Sequence, residues 1–307
     1  MPVKKIKLTN FSWVHISDIN GQDVGYLESR YRFHHLDFKD CLEGVQRPKI
    51  DAYKNYFFMI FHFPTFDGKF RRVGVCPLYV FLGKNYLITA CNARDDFLDN
   101  FFLRFKKQKK NSHQVDSFRY SSAYLLYKII DVEFRRSLQI INEIGTRLIS
   151  VEEEVYSNLN KEATTNLAMM RRNILNVRRI LEPQLKTLDR LVDMKSSMMP
   201  KQLSVYFDDV DDYVENMWSA LESYRDSVDS LYHTNESFIN QRTNDVIKML
   251  TTISVALLPL TLLASIYGMN VVGLPFSNHP VGLWIIFIIM IGIVAGSFYF
   301  AKKRNVI

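Results

Sequence analysis

The sequence is most informative where charge is missing. Charged residues make up 23% of the chain, yet no Lys, Arg, Asp or Glu occurs between Met249 and Ala301. A soluble core has little need of so long an uncharged stretch, whereas one membrane crossing takes roughly 20 apolar residues. The stretch therefore predicts two membrane-spanning helices at the C-terminal end of the chain.

Cysteine and catalytic motifs are also scarce. The chain has three cysteines and no CxxC pair, which excludes a disulfide scaffold and a four-thiolate zinc site. It has no P-loop, GxSxG, HExxH or Rossmann glycine pattern, which disfavours an ATP-driven pump and an enzyme. The basic run Arg104–Lys110 has no nucleic-acid-binding motif beside it, so no nucleic-acid partner is expected.

The uncharged stretch is interrupted by a segment rich in Gly, Pro and Asn from Gly268 to Pro280, which predicts a loop. The first span then covers about Lys248–Tyr267 and the second about Val281–Ala301. Basic residues flank both spans but are absent from the loop, so the positive-inside rule predicts that both termini are cytoplasmic.

One face of the first span carries a regular pattern, which we call the stripe. Its residues are three or four positions apart, as on one side of a helix, and include most of the hydroxyl side chains of the span. They are Asn244, Ile247, Thr251, Ser254, Leu258, Thr261, Ser265 and Gly268. Two interpretations remain open: a packing seam between helices, or a pore lining in which Ile247 and Leu258 are hydrophobic constrictions.

The first 247 residues predict a mixed fold. Aromatic and β-branched runs favour strands in the first part, and helical periodicity follows it. From Leu203 an apolar heptad pattern predicts a helix of about 60 to 70 residues that continues through the first span. The expected elements are strands at 56–63, 72–82 and 85–90, a short helix at 97–105 and a helical hairpin at 118–200.

Several motifs resemble those of the CorA family of divalent-cation transporters. Tyr267–Asn270 reads YGMN at the end of the first of two C-terminal spans, which is the family signature. Gln46–Lys49 reads QRPK, Glu152–Val155 resembles an acidic bend between paired helices, and Leu258–Thr261 also matches. The resemblance covers almost the whole chain.

The resemblance implies a funnel-shaped homopentamer with an α/β cytoplasmic domain, a long stalk helix and two C-terminal transmembrane helices, in the plasma membrane. Five first spans would surround the pore. The implied division is a cytoplasmic α/β domain (1–117), a helical hairpin (118–200), a stalk helix (201–247), transmembrane helix 1 (248–270), an outer loop (271–280), transmembrane helix 2 (281–301) and a basic tail (302–307).

The resemblance also implies roles for individual residues. The stripe from Asn244 to Ser265 falls at the family's pore positions, and Gly268, Met269 and Asn270 fall at its selectivity filter. Asp40, just before the QRPK motif, and Asp209, in the acidic segment Asp208–Glu215, match carboxylates that bind a regulatory Mg²⁺ between neighbouring subunits. From the residues alone, the acidic segment is either a solvated face or a site for Mg²⁺ or Ca²⁺.

The expected function is therefore Mg²⁺ uptake through a channel-like transporter, driven by the membrane potential and closed by cytoplasmic Mg²⁺. One alternative is transport of Zn²⁺, Co²⁺ or Ni²⁺, with or without proton coupling. The other is a membrane-anchored scaffold, in which the stripe and Asn270 have no role. The expected partners are divalent cations, the membrane and other copies of this chain.

Overall fold

The computed structural model describes residues 3–44, 46–67, 72–92, 95–109, 121–157, 161–194, 198–269 and 280–303. The chain forms two compact units, Met1–Tyr232 and His233–Ile307. The α/β domain, the long helix and the C-terminal apolar helix expected from the sequence are all present.

The first unit contains a six-stranded sheet in the order β1-β2-β6-β5-β4-β3. Strands β2 and β6 pair in parallel, and the other neighbours pair antiparallel. The three predicted strands are confirmed as β4, β5 and β6. The strands are β1 (Val3–Lys7), β2 (Ser12–Ile16), β3 (Lys49–Ala52), β4 (Tyr56–Asp67), β5 (Arg72–Gly83) and β6 (Tyr86–Cys91).

The sheet is held by a dense aromatic core. Phe81 on β5 is fully buried, and its ring lies 4.8 Å from that of Phe58 on β4 and 4.4 Å from that of Phe33. Gly83 closes the turn between β5 and β6, where an added Cβ would lie 2.3 Å from the ring of Tyr86. Only glycine therefore fits this turn without displacing the tyrosine ring.

Three shorter helices belong to the first unit: α1 (Gly21–Glu28), α2 (His35–Leu42) and α3 (Asp96–Lys109). Helix α3 confirms the short helix predicted at 97–105, whereas α1 and α2 were not predicted. Asn20 begins α1 with a capping box, since its side chain accepts hydrogen bonds from the backbone N–H groups of Gln22 and Asp23.

Long helices complete the first unit. Helices α4 (Ser122–Ser157) and α5 (Lys161–Val192) form the predicted hairpin region, and α6 (Ser204–Gly268) begins after a short 3₁₀ turn. The heptad positions of α6 from Phe207 to Leu231 are largely buried, as their apolar pattern predicts. Interhelical ion pairs, among them Arg171 with Asp229 and Arg178 with Glu222, join α5 to α6 in an antiparallel register.

The second unit contains the end of α6 and helix α7 (Pro280–Lys303). Helix α6 has 65 residues, which confirms the predicted continuous helix. Within the described ranges, one helical segment, Lys201–Gly268, contains a window long and apolar enough to cross a membrane, with a mean hydropathy of 2.0. The apolar part of α7 within those ranges, Trp284–Ser297, is shorter than such a window.

Candidate pore-lining face and regulatory carboxylates

All of the predicted pore-lining residues lie on α6, and each is exposed in the single chain. The apolar members are more than half exposed: Leu258 is 67% exposed and Ile247 is 54% exposed. Gly268 is the last residue of α6, and Met269 follows it with its N–H donating to the carbonyl of Ile266. Asn270 lies outside the described residues.

The opposite face of α6 is the covered one. From residue 252 to residue 267, the positions that are buried or half-buried recur every three or four residues on the side of the helix away from the stripe, whereas residues 241–251 are all exposed. They are Thr252, Ala256, Pro259, Leu260, Leu263 and Tyr267. From residue 252 onward, the stripe thus belongs to the helix surface that its own chain leaves uncovered.

Two stripe threonines have their hydroxyl protons fixed by the helix itself. Thr251 Oγ1 donates to the carbonyl of Ile247 at 2.8 Å, and Thr261 Oγ1 donates to that of Leu258 at 2.8 Å. Since the proton is used within the helix, the oxygen presents its lone pairs outward. Such an oxygen is a neutral acceptor for the water molecules that surround a hydrated cation.

Ile247 and Leu258 interrupt this polar surface. They are eleven residues apart, which corresponds to roughly 16 Å along a helix. Neither side chain can hydrogen-bond, so repeated copies of either one around an axis would form an apolar ring. Apolar rings of this kind close narrow pores by excluding water.

The proposed regulatory carboxylate Asp40 already has a cationic partner. Lys49 Nζ lies 2.8 Å from Asp40 Oδ2 and 2.6 Å from Asp51 Oδ2. Burial lowers the pKa of the Lys49 ammonium, but the hydrogen bonds to Asp40 and Asp51 outweigh burial and raise that pKa above its ordinary value. Any cation that binds Asp40 must therefore compete with a permanently charged lysine.

A buried carboxylate supports the same part of the fold. Asp37, one helical turn before Asp40 on α2, accepts hydrogen bonds from the hydroxyls of Tyr53 at 2.8 Å and Tyr56 at 2.7 Å. Burial raises the pKa of Asp37, and the two tyrosine hydrogen bonds oppose that rise. These contacts fix α2, and with it Asp40, against the β3–β4 edge of the sheet.

Asp209 is exposed near the start of α6. It lines a cavity of about 210 Å³ with Asp131, Arg135 and Asp212, and Arg135 is paired with Asp131 at 2.8 Å. Across the described ranges, no three His, Cys, Asp or Glu side chains of one chain are arranged to hold a metal ion. Asp40 and Asp209 are therefore not members of such a group within the described residues of one chain.

The Lys49 contact is the feature of this site that the sequence analysis missed. Lys49 belongs to the QRPK motif and lies on the edge strand β3, whereas Asp40 lies on α2. The motif marks the residue but does not indicate its partner, because the approach of β3 to α2 is a tertiary contact.

A comparison with protein families decides the classification. The model of the CorA-like Mg²⁺ transporter protein family matches residues 9–303. The chain belongs to this family. Family membership identifies a membrane transporter rather than an enzyme.

Individual relatives agree with this classification. The cobalt/magnesium transport protein CorA of Thermotoga maritima is 27% identical over 298 residues, covering 95% of this chain and 83% of that protein. The solved structure of the CorA magnesium transporter from Methanocaldococcus jannaschii has a TM-score of 0.84 at 18% identity, covering 99% of this chain and 94% of that one. That likeness shows the same fold along nearly the whole chain.

A solved structure that is not named CorA has a similar fold. The cytoplasmic domain of ZntB from Vibrio parahaemolyticus has a TM-score of 0.58 at 14% identity, covering 76% of this chain and 90% of that one. The fold is therefore not confined to proteins named CorA.

Proposed function

We propose that this protein carries Mg²⁺ into the cell as a channel-like transporter. As a member of the CorA-like family it is a transporter of divalent cations. The finer assignment to Mg²⁺ is supported by the family model and by the similarity to a cobalt/magnesium transport protein.

The observation that carries the proposal is the stripe of α6. A single chain exposes the hydroxyl oxygens of Thr251 and Thr261 together with the apolar side chains of Ile247 and Leu258, and covers the opposite face. This arrangement fits a homopentamer in which five α6 helices turn their stripes toward a common axis. The stripe from Asn244 to Ser265 then lines the pore.

Neutral oxygens suit the passage of Mg²⁺. The ion loses its bound water reluctantly and prefers six oxygen ligands in an octahedron. Hydroxyl and amide oxygens accept hydrogen bonds from the hydrated ion but hold it weakly enough for it to leave. At the outer end, Gly268, Met269 and Asn270 form the proposed selectivity filter, with five Asn270 amides facing the hydrated ion.

The membrane potential supplies the driving force in this scheme. Moving one charge through 100 mV is worth about 2.3 kcal/mol, and a divalent ion gains twice that. We assign both termini to the cytoplasm, since basic residues flank the two spans and are absent from the outer loop. The stalk is then residues 201–247, and the spans are 248–270 and 281–301 of a plasma-membrane protein.

Feedback by cytoplasmic Mg²⁺ is part of the proposal. A Mg²⁺ ion between Asp40 of one chain and Asp209 of a neighbouring chain would join the α/β domain to the neighbouring stalk. Because Lys49 already neutralises part of the charge of Asp40, binding is weak and suits millimolar cellular Mg²⁺. Removing the ion leaves the two carboxylates with fewer counter-charges, so they repel each other. This repulsion favours opening of the pore.

The direct test is ion flux into proteoliposomes that contain a Mg²⁺-sensitive dye and carry an imposed inside-negative potential. We expect Mg²⁺ entry that increases with the potential, and Co²⁺, Ni²⁺ and Zn²⁺ are compared in parallel with matching dyes. Zn²⁺ entry without Mg²⁺ entry would favour the zinc carrier instead. No flux of any divalent ion would favour the membrane-anchored scaffold.

A further inference from the structure

The stripe does not stop at Asn244. Toward the N-terminal end of α6 the same spacing of three and four residues continues through Asn240 and Ser237 to His233, and each of these residues is exposed. The buried neighbours Leu231 and Asn235 lie on the opposite side of the helix. His233 therefore shares the uncovered face of α6 with the proposed pore lining.

His233 differs from every other member of this extended stripe. The remaining positions of the stripe carry hydroxyl, amide, aliphatic or glycine side chains, so among them the imidazole is the one strong ligand for a borderline cation. The extended stripe is His233, Ser237, Asn240, Asn244, Ile247, Thr251, Ser254, Leu258, Thr261, Ser265 and Gly268.

The imidazole is well placed to meet an ion from solution. The side chain of His233 is 78% exposed, and Glu236 Oε2 lies 3.9 Å from its Nδ1. Imidazole nitrogen is a preferred ligand of Zn²⁺, Co²⁺ and Ni²⁺, whereas Mg²⁺ prefers oxygen. A histidine on this face thus distinguishes the borderline transition metals from Mg²⁺, which the neutral oxygens elsewhere on the stripe do not.

We propose that His233 residues from several chains form a transition-metal site at the cytoplasmic end of the pore, and that Ni²⁺, Co²⁺ or Zn²⁺ bound there slows the passage of Mg²⁺. The placement at the pore rests on the proposed function. His233 lies 35 residues before Gly268, roughly 52 Å along a helix, so the site is well separated from the filter at the other end of the stripe.

The site is incomplete in one chain. In the part of the chain that the structure describes, no group of three or more His, Cys, Asp or Glu side chains is arranged to hold a metal. Equivalent residues of a closed oligomer lie at equal distances from its axis, so a ring of imidazoles supplies the missing ligands. Binding is therefore expected at fewer than one Ni²⁺ per chain.

The experiment measures Ni²⁺ binding and Ni²⁺ inhibition with full-length protein. Calorimetric titration with NiCl₂ is done in excess Mg²⁺, so that oxygen sites are filled, on wild type and His233→Gln. Removing a metal ligand should weaken Ni²⁺ binding more than about tenfold. In proteoliposomes, the ratio of Mg²⁺ flux with and without Ni²⁺ should be low for wild type and near one for His233→Gln.

The matched control is His34→Gln/His35→Gln, which removes two exposed imidazoles that are not part of α6. This variant should keep wild-type Ni²⁺ inhibition. Equal Ni²⁺ binding and inhibition in wild type and His233→Gln would overturn the proposal, as would a loss of both in the control.

The two readouts separate this site from the proposed function. If His233→Gln loses Ni²⁺ binding but no variant conducts Mg²⁺, the metal site stands and the transport proposal fails. If wild type conducts Mg²⁺ but His233→Gln changes neither Ni²⁺ binding nor inhibition, the transport proposal stands and the metal site fails.

Discussion

Apolar side chains are buried in the sheet of the first unit but exposed at the end of α6 in the second unit. Phe58, Phe61 and Phe81 are fully buried by other residues of the same chain, whereas Leu258 and Leu262 are more than half exposed. Burial of apolar surface from water stabilises the first region without any further chain. Under our proposal, lipid and further copies of the chain cover the exposed apolar surface of the second region.

The largest effect should separate transport from folding. Asn270→Ala removes the amide ring of the proposed filter, so we expect Mg²⁺ uptake by proteoliposomes to be lost. Because the buried core of the first unit is untouched, its urea-unfolding midpoint should stay at the wild-type value. Normal uptake by the variant would remove Asn270 from the filter.

A substitution in the core of the first unit should lower its stability, which Asn270→Ala should leave unchanged. Phe81→Ala leaves a cavity beside Phe33 and Phe58 and should lower the free energy of unfolding of the first unit by about 3–5 kcal/mol. Urea unfolding followed by circular dichroism measures the loss. Leu258→Ala is the matched exposed substitution, and a loss of similar size there would contradict the comparison.

The apolar constrictions should affect flux without affecting the core. Ile247→Ser or Leu258→Ser replaces an apolar ring with a wettable one, so leak at high internal Mg²⁺ should rise several-fold. Dye-loaded proteoliposomes measure the leak. Ile253→Ser is the control, since Ile253 is an exposed apolar residue of α6 that is not three or four positions from any stripe residue. Unchanged leak in both stripe variants would mean that the constrictions lie elsewhere.

The smallest effect concerns feedback at the surface of the first unit. Limited proteolysis of the stalk is compared with and without millimolar Mg²⁺ in wild type and in Asp40→Lys/Asp209→Lys. Mg²⁺ should protect the wild type only, because the variant carries lysines where the ion would bind. Lys49→Met should lower the Mg²⁺ concentration needed for protection by about fivefold, since about 1 kcal/mol is the most that one surface ion pair contributes. Equal protection of wild type and the double variant would exclude both aspartates.

The sequence predicts the second region better than details of the first. The uncharged stretch and the periodicity of α6 are signals along one helix, so they identify the span, its stripe and its length. Helices α1 and α2 have only eight residues each and were missed, although Asn20 and Asp23 carry the spacing of a capping box. The pairing of Lys49 with Asp40 depends on a strand edge meeting a helix, and local pattern does not encode it.

The central claim, that the stripe faces a water-filled pore, is tested most directly by adjacent threonines. Thr251 lies on the stripe and Thr252 on the covered face, and each donates its hydroxyl proton to the backbone carbonyl four residues earlier. The native cysteines are buried, so a cysteine placed at either position is the reactive one. A membrane-impermeant methanethiosulfonate should block Mg²⁺ uptake by Thr251→Cys and leave Thr252→Cys active. Equal block of both, or block of Thr252→Cys alone, would contradict the account.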